Sequence, residues 1–158
     1  MEKKMNNKGF SLVELIVVIA IMAVLVGVLA PQFIKYVEKS RQSTDLSNLD
    51  SIKTVVESYY ADKEGDKLPD TVEITSTIGG SYVVTAKKGS NTMTGSGDAA
   101  AEQGGVKDTK LKGKWQKKAG GGATPSATWN ISNNTWTYAG ESDYYSATAA
   151  SGKSIVAE

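Results

Sequence analysis

The chain has 158 residues, 18 of them basic and 17 acidic, a formal charge of +1, and neither cysteine nor histidine. That composition excludes disulfides, thiolate metal sites and a cysteine nucleophile, and it removes the usual general base and the commonest transition-metal ligand. The balanced charge gives no overall pull toward nucleic acid, and the length leaves room for one modest soluble domain beside an N-terminal apolar segment. Glycine and small polar residues crowd the second half, a β-rich composition with many turns, so a structural or binding role is expected before an enzymatic one.

The first element is the apolar run. Leu15 to Ala30 contains no polar side chain, and extension to Ile34 gives 20 residues, close to the ~20 that a membrane-spanning helix needs. Between Phe10 and Ile34 the single charged residue is Glu14. A lone carboxylate in lipid costs about 2.5 kcal/mol or more unless something neutralises it. A secretory signal peptide would have its small-residue cut site at Val28-Leu29-Ala30, but Pro31 follows directly and Glu14 lies inside the apolar core. A simple membrane anchor fits the length and leaves Glu14 unexplained.

The stretch Lys8-Gly9-Phe10-Ser11-Leu12-Val13-Glu14 resembles the processing site of type IV prepilins of the short-leader, class IVa type: a basic leader ending in glycine, then phenylalanine, then glutamate as the fifth mature residue. The resemblance continues through the apolar run to Pro31 and covers about the first 50 residues. It implies a leader of residues 1–9, removed by a prepilin peptidase between Gly9 and Phe10, N-methylation of Phe10, and an assembly role for Glu14. It also implies a pilin-like α+β fold, self-association into a helical homopolymer, and dependence on a pilus assembly machinery in the plasma membrane.

The chemistry of those positions can be argued without the family. Cleavage creates an ammonium group on Phe10 at the edge of the apolar run. In a staggered bundle of identical helices, Glu14 of one subunit meets that group on its neighbour. Breaking such a pair in a low-dielectric surrounding by removing one partner costs roughly 3–5 kcal/mol. Lys3, Lys4 and Lys8 precede the run and hold that end in the cytoplasm, leaving the bulk of the protein outside. The leader takes away three of the 18 basic and one of the 17 acidic residues, leaving 15 and 16. A precursor held in lipid as a single-pass plasma-membrane protein, then an extracellular pilus, is the expected itinerary.

Helical periodicity continues beyond residue 34. Ile34, Val37, Leu49, Ile52, Val56 and Tyr59 recur at three- and four-residue multiples, with Asp45, Asp50, Lys53 and Glu57 mostly elsewhere around the helix. One helix is therefore expected over Phe10–Ala61, apolar all round in its first half (10–34) and amphipathic in its second, where the head (35–158) begins. Gly27 and Pro31 lie between the halves, and proline favours a kink there.

Strands follow. TVEITST (71–77) alternates and SYVVTA (81–86) is β-branched, with Gly79-Gly80 between them. WNISNNTWTY (129–138) reads as a hairpin with a two-residue turn at Asn133-Asn134. That register sets Ile131 opposite Trp136 and Trp129 opposite Tyr138, all on one face and against the helix. Segments 88–105 and 119–127 read as loops, and Ser154–Ala157 as a last edge strand. The fold class is α+β, a long helix packed on a small antiparallel sheet.

Several motifs tempt. ATAASGKS (147–154) nearly matches a phosphate-binding loop, but Ala147 replaces its first glycine and no helix can follow Ser154. VKDTKLKGKWQKK (106–118) holds six lysines and Trp115, a basic patch with an aromatic that could bind single-stranded nucleic acid or an anionic surface. The blander interpretation is a strand whose wet face carries Lys110, Lys112 and Lys114 opposite Leu111, Gly113 and Trp115. Asp66, Asp98, Glu102, Glu141 and Asp143 lack the dense spacing of a calcium loop. Asn130 and Asn133 match the glycosylation acceptor pattern. No cofactor, metal or catalytic residue is expected. The competing functions are a pseudopilin of a type II secretion or DNA-uptake system and a membrane-anchored adhesive module.

Overall fold

The computed structural model describes residues 9–77, 79–115, 123–141, 145–146 and 156–157. Helix α1 spans Leu12–Tyr60 and runs without a break through Gly27 and Pro31, close to the expected Phe10–Ala61. The chain divides into two compact units after Val37, and each is described by itself.

In the N-terminal unit every residue from Gly9 to Tyr36 is exposed. These include Phe10, 85% exposed, and Val24, 69%. The helix is long and apolar enough to cross a membrane by length and composition. A helix apolar on all sides satisfies its own backbone but leaves its side chains facing water, so its stable setting is lipid or other helices.

The C-terminal unit takes residues 38–60 of α1 and lays them on an antiparallel sheet. The strands are β1 (Thr71–Ser76), β2 (Tyr82–Lys88), β3 (Asn91–Thr92), β4 (Ala123–Asn130), β5 (Thr135–Glu141), β6 (Tyr145–Ser146) and β7 (Val156–Ala157), in spatial order β3-β2-β1-β4-β5-β6-β7. Alternation in β1 buries Val72, Ile74 and Ser76, and in β2 Tyr82, Val84 and Ala86, the pattern of strands with one face on a core. From α1 the core takes Leu49, Ile52, Val56 and Tyr60, each side chain contributing about 1.5–3 kcal/mol when fully buried.

The helical face differs from the expected one. Gln42 and Asp45 are buried on it, and Tyr60, not Tyr59, completes it. Steps of three and four residues lead from Gln42 through Asp45 to Leu49, so helix geometry puts the acid in the core stripe. Hydrophobicity alone had assigned it to the wet side.

The hairpin register also differs. Trp129 pairs with Trp136, Asn130 with Thr135, and Ala127 with Tyr138. The loop is Ile131–Asn134, closed by the Asn134 N–H donating to the Ile131 carbonyl at 3.2 Å. Asn134 alone among its residues has positive φ, at 50°, whereas a two-residue I′ turn needs two such residues. The slip is an even number of residues, so the aromatic face is kept: Trp129, Trp136 and Tyr138 are buried together and Ile131 packs at their edge.

Two expected loops contain structure. Within 88–105 lie β3 and a second helix, α2 (Ser96–Gln103). Its alanines favour helix, and Ala100 and Ala101 enter the core. Gly97 allows this: a Cβ there would lie 2.0 Å from the Val84 carbonyl oxygen, so α2 rests directly on the backbone of β2. Residues 123–127 of the other expected loop belong to β4, where a register shift between Ala123 and Ser126 accommodates Pro125. At the far edge Val156–Ala157 pairs with β6, as expected for the tail strand; Ser154 and Ile155 lie outside the described residues, as does the phosphate-loop look-alike at 147–154.

Candidate functional site

Ser11 stands immediately before α1 and Glu14 is its third residue, the S-x-x-E pattern of a capping box. The Ser11 N–H donates to Glu14 Oε2 at 2.9 Å. Glu14 therefore has a local partner that the sequence reading passed over, and the signal was present in SLVE. Among the described residues its Oε1 accepts no hydrogen bond, which leaves half of the carboxylate available. The negative charge also lies in the first turn, where the helix dipole favours it.

Gly9 and Phe10 are both exposed, and a Cβ on Gly9 would meet nothing within 4 Å. Among the described residues, packing imposes no requirement for glycine there. Gly27 is equally open. Pro31 sits four residues beyond it inside α1, so the Gly27 carbonyl has no N–H to accept from in the helical ladder. The structure thus places Gly9 and Phe10 just ahead of the helix and Glu14 in its first turn, with Gly27 and Pro31 more than about three turns farther along.

A second cluster was not legible in the sequence. Asp45 is fully buried on α1. Its Oδ1 accepts the Lys112 N–H at 2.8 Å, and its Oδ2 accepts the Gly113 N–H at 2.8 Å and the Trp115 indole N–H at 2.9 Å. Gln42 Nε2 donates to the Lys114 carbonyl at 2.8 Å, and Glu38 accepts the Lys114 N–H. Segment 110–115 is consequently tied to the helix rather than to a sheet edge, apart from one bridge between Lys110 and Ser81. The expected alternation holds: Leu111, Gly113 and Trp115 are buried, while Lys110, Lys112 and Lys114 are exposed. The expected strand does not form, because helix side chains take the backbone donors that a neighbouring strand would need. Gly113 leaves no room for more, since a Cβ would approach Gln42 Cγ to 2.6 Å.

The aromatic face of the hairpin meets α1 as expected. The rings of Trp129 and Trp136 stack at 5.6 Å with 6° between planes. The Trp136 indole donates to Glu57 at 2.6 Å, and Lys53 lies over the Trp136 and Tyr138 rings. Asp66 pairs with Lys88 and Glu102 with Lys107, so these acids face lysines. The side chains of Glu141 and Asp143 lie outside the described residues. Asn133 is exposed at the hairpin tip, whereas Asn130 Oδ1 is buried without a partner among the described residues.

Comparison with known proteins agrees with this geometry. The prokaryotic N-terminal methylation motif matches residues 4–30. Fimbrial protein EcpC of Eikenella corrodens is 34% identical over 119 residues, covering 70% of this chain and 76% of EcpC. The type IV major pilin protein PilA of Myxococcus xanthus is 38% identical over 59 residues, 37% of this chain and 27% of PilA. Prepilin peptidase-dependent protein A of Clostridium perfringens is 37% identical over 79 residues, 49% of this chain and 56% of that protein. The chain thus spans about a quarter of one relative, half of another and three quarters of the third. No solved structure matches it significantly. Motif, long helix and antiparallel sheet together with these relatives establish that the chain belongs to the type IV pilin family.

Proposed function

We propose that the chain is the structural subunit of a type IV pilus, cut by a prepilin peptidase after Gly9, N-methylated on Phe10 and polymerised through α1. One observation carries this reading: a helix exposed and apolar on every side from Leu12 to Ala30, preceded by an open Gly9-Phe10 bond and interrupted by one acid, Glu14. Lipid covers such a helix in a precursor, and copies of itself cover it in a filament. The leader lysines keep the N-terminus cytoplasmic until cleavage. The names of the relatives, pilins and fimbrial proteins, support a surface filament over a secretion pseudopilin.

Glu14 has two duties in this reading. Oε2 caps its own helix, and Oε1 receives the Phe10 ammonium of the next subunit, fixing axial register. Gly27 gives a neighbouring helix room to approach, and the missing hydrogen bond at Pro31 makes 27–31 the place where α1 bends on assembly. No step of this function requires a reaction by the chain itself.

The test separates capping from pairing. Glutamine serves a capping box as glutamate does, but it carries no charge. Glu14→Gln should give a processed, membrane-held monomer and no filaments by electron microscopy. Normal filaments from that variant would leave Glu14 a helix cap and remove the pairing from the mechanism.

A further inference from the structure

Charge is unevenly placed on this chain. Residues 106–115 carry four lysines against Asp108, and residues 35–45 carry Lys35, Lys39 and Arg41 against Glu38 and Asp45, a formal +4 in a chain whose total is +1. The two stretches are tied together. The Lys112 and Gly113 N–H groups donate to Asp45, and the Lys114 N–H donates to Glu38. With Leu111, Gly113 and Trp115 buried behind them, Lys110, Lys112 and Lys114 stand exposed, and among the described residues none of the three forms an ion pair.

This positive cluster sits where the chain leaves its apolar run. Glu38 is four residues beyond Ile34, the end of that run, so at most about 14 Å separates them however the chain bends. The segment descends the helix as its numbers rise. Lys112 is held beside Asp45 and Lys114 beside Glu38, seven residues or about 10 Å of helix nearer the apolar end; Lys110 lies beyond Lys112, on the bridge to Ser81. We propose that the ridge docks the head on an anionic bilayer: headgroup phosphates of the membrane that holds α1 attract Lys114 most and Lys110 least, and draw the head onto the lipid before assembly. Such attraction fades within a Debye length, about 10 Å at 0.1 M salt, which is why the order of the lysines matters. The contact is intramolecular once α1 is inserted, and that tether favours the bilayer over a soluble polyanion. The inference rests on the reading that α1 spans a membrane.

The experiment uses the full mature chain in bilayer nanodiscs. Because the chain has no cysteine, Thr109→Cys gives one site for a fluorescent donor beside the ridge, with acceptors on the lipid headgroups. Time-resolved energy transfer then gives the ratio of lipid-near to lipid-far heads. That ratio should rise from phosphatidylcholine discs to phosphatidylglycerol-rich ones and collapse between about 50 and 500 mM salt. Lys114→Gln should lower it about fivefold in the anionic discs, Lys110→Gln by less, and Lys63→Gln/Lys67→Gln, past the far end of α1, not at all. The proposal is overturned by a ratio that ignores lipid charge, by a gain that survives high salt, or by a Lys114→Gln chain that equals the parent. A larger loss in Lys110→Gln than in Lys114→Gln, or an equal loss in the control pair, overturns it too. The lipid and salt comparisons on the parent chain decide the matter even where a variant unfolds. A chain that does not enter the discs overturns the spanning reading and this inference with it, whereas one that enters and shows no lipid dependence overturns this inference alone.

Discussion

The indole N–H of Trp115 donates to the Asp45 carboxylate at 2.9 Å across 70 positions of the chain. With the Lys112 and Gly113 amides on the same carboxylate, one fully buried helix residue holds a segment that makes a single bridge, at Ser81, beside the sheet. Asp45→Ala removes the acceptor of three donors, two of them buried, and each buried donor that loses its bond costs about 1–3 kcal/mol. We expect a loss of at least about 2 kcal/mol in urea unfolding of the full chain, followed by tryptophan fluorescence. Asp45→Asn keeps one acceptor oxygen and should lose less. Equal stabilities of Asp45→Ala and the parent would show that the clamp contributes nothing.

Tyr82 supplies a pH dependence. Burial first, then the nearby Asp45 and Asp50 carboxylates, push its hydroxyl well above the ordinary tyrosine range; the hydroxyl donates to the Asp45 backbone carbonyl at 2.8 Å. Above the ordinary value of about 10, the unfolded chain releases this proton and the folded chain keeps it. The unfolded state then binds fewer protons, so stability is full below about pH 10 and falls as pH rises further. Tyr82→Phe should be about 1 kcal/mol less stable at neutral pH and decline less steeply above pH ~10. Urea midpoints across that range test this, and parallel declines would contradict it.

Gly97 tests the seating of α2. A methyl group 2.0 Å from the Val84 carbonyl oxygen forces the helix off β2, and overpacking of this kind costs about 1–3 kcal/mol. Gly97→Ala should lower the melting temperature and speed amide exchange in 96–103, while Gly89→Ala, open but at φ 60°, should leave exchange in α2 unchanged.

Gly9 tests the processing site. Because a Cβ at Gly9 would meet nothing within 4 Å among the described residues, Gly9→Leu should fold as the parent does and retain residues 1–9. Intact mass spectrometry of the N-terminus reads the outcome directly. A fully cleaved Gly9→Leu chain would move the specificity to other residues.

The N-terminal half was the most legible part. GFSLVE and the apolar run are contiguous, and a helix boundary, a cap and a span depend on neighbours within a few residues. Even there the capping box hid behind the more conspicuous charge of Glu14. The aromatic face of the hairpin could be foreseen because side-chain alternation survives an even slip, but its register could not, since that depended on whether Asn133 or only Asn134 takes positive φ. α2 reads as a loop because Gly97 inside it and Gly95 and Gly104 at its caps resemble turn residues until β2 lies beneath.

By itself the sequence determined which stretches are apolar and which faces of helix and strand can be dry. Those properties follow from residue order at short range. Only the tertiary structure decided that Asp45 lies in the core and that the lysine segment joins the helix. Two of Asp45's three donors are backbone N–H groups 67 and 68 positions away, and a backbone amide is the same in nearly every residue, so no side-chain pattern announces it.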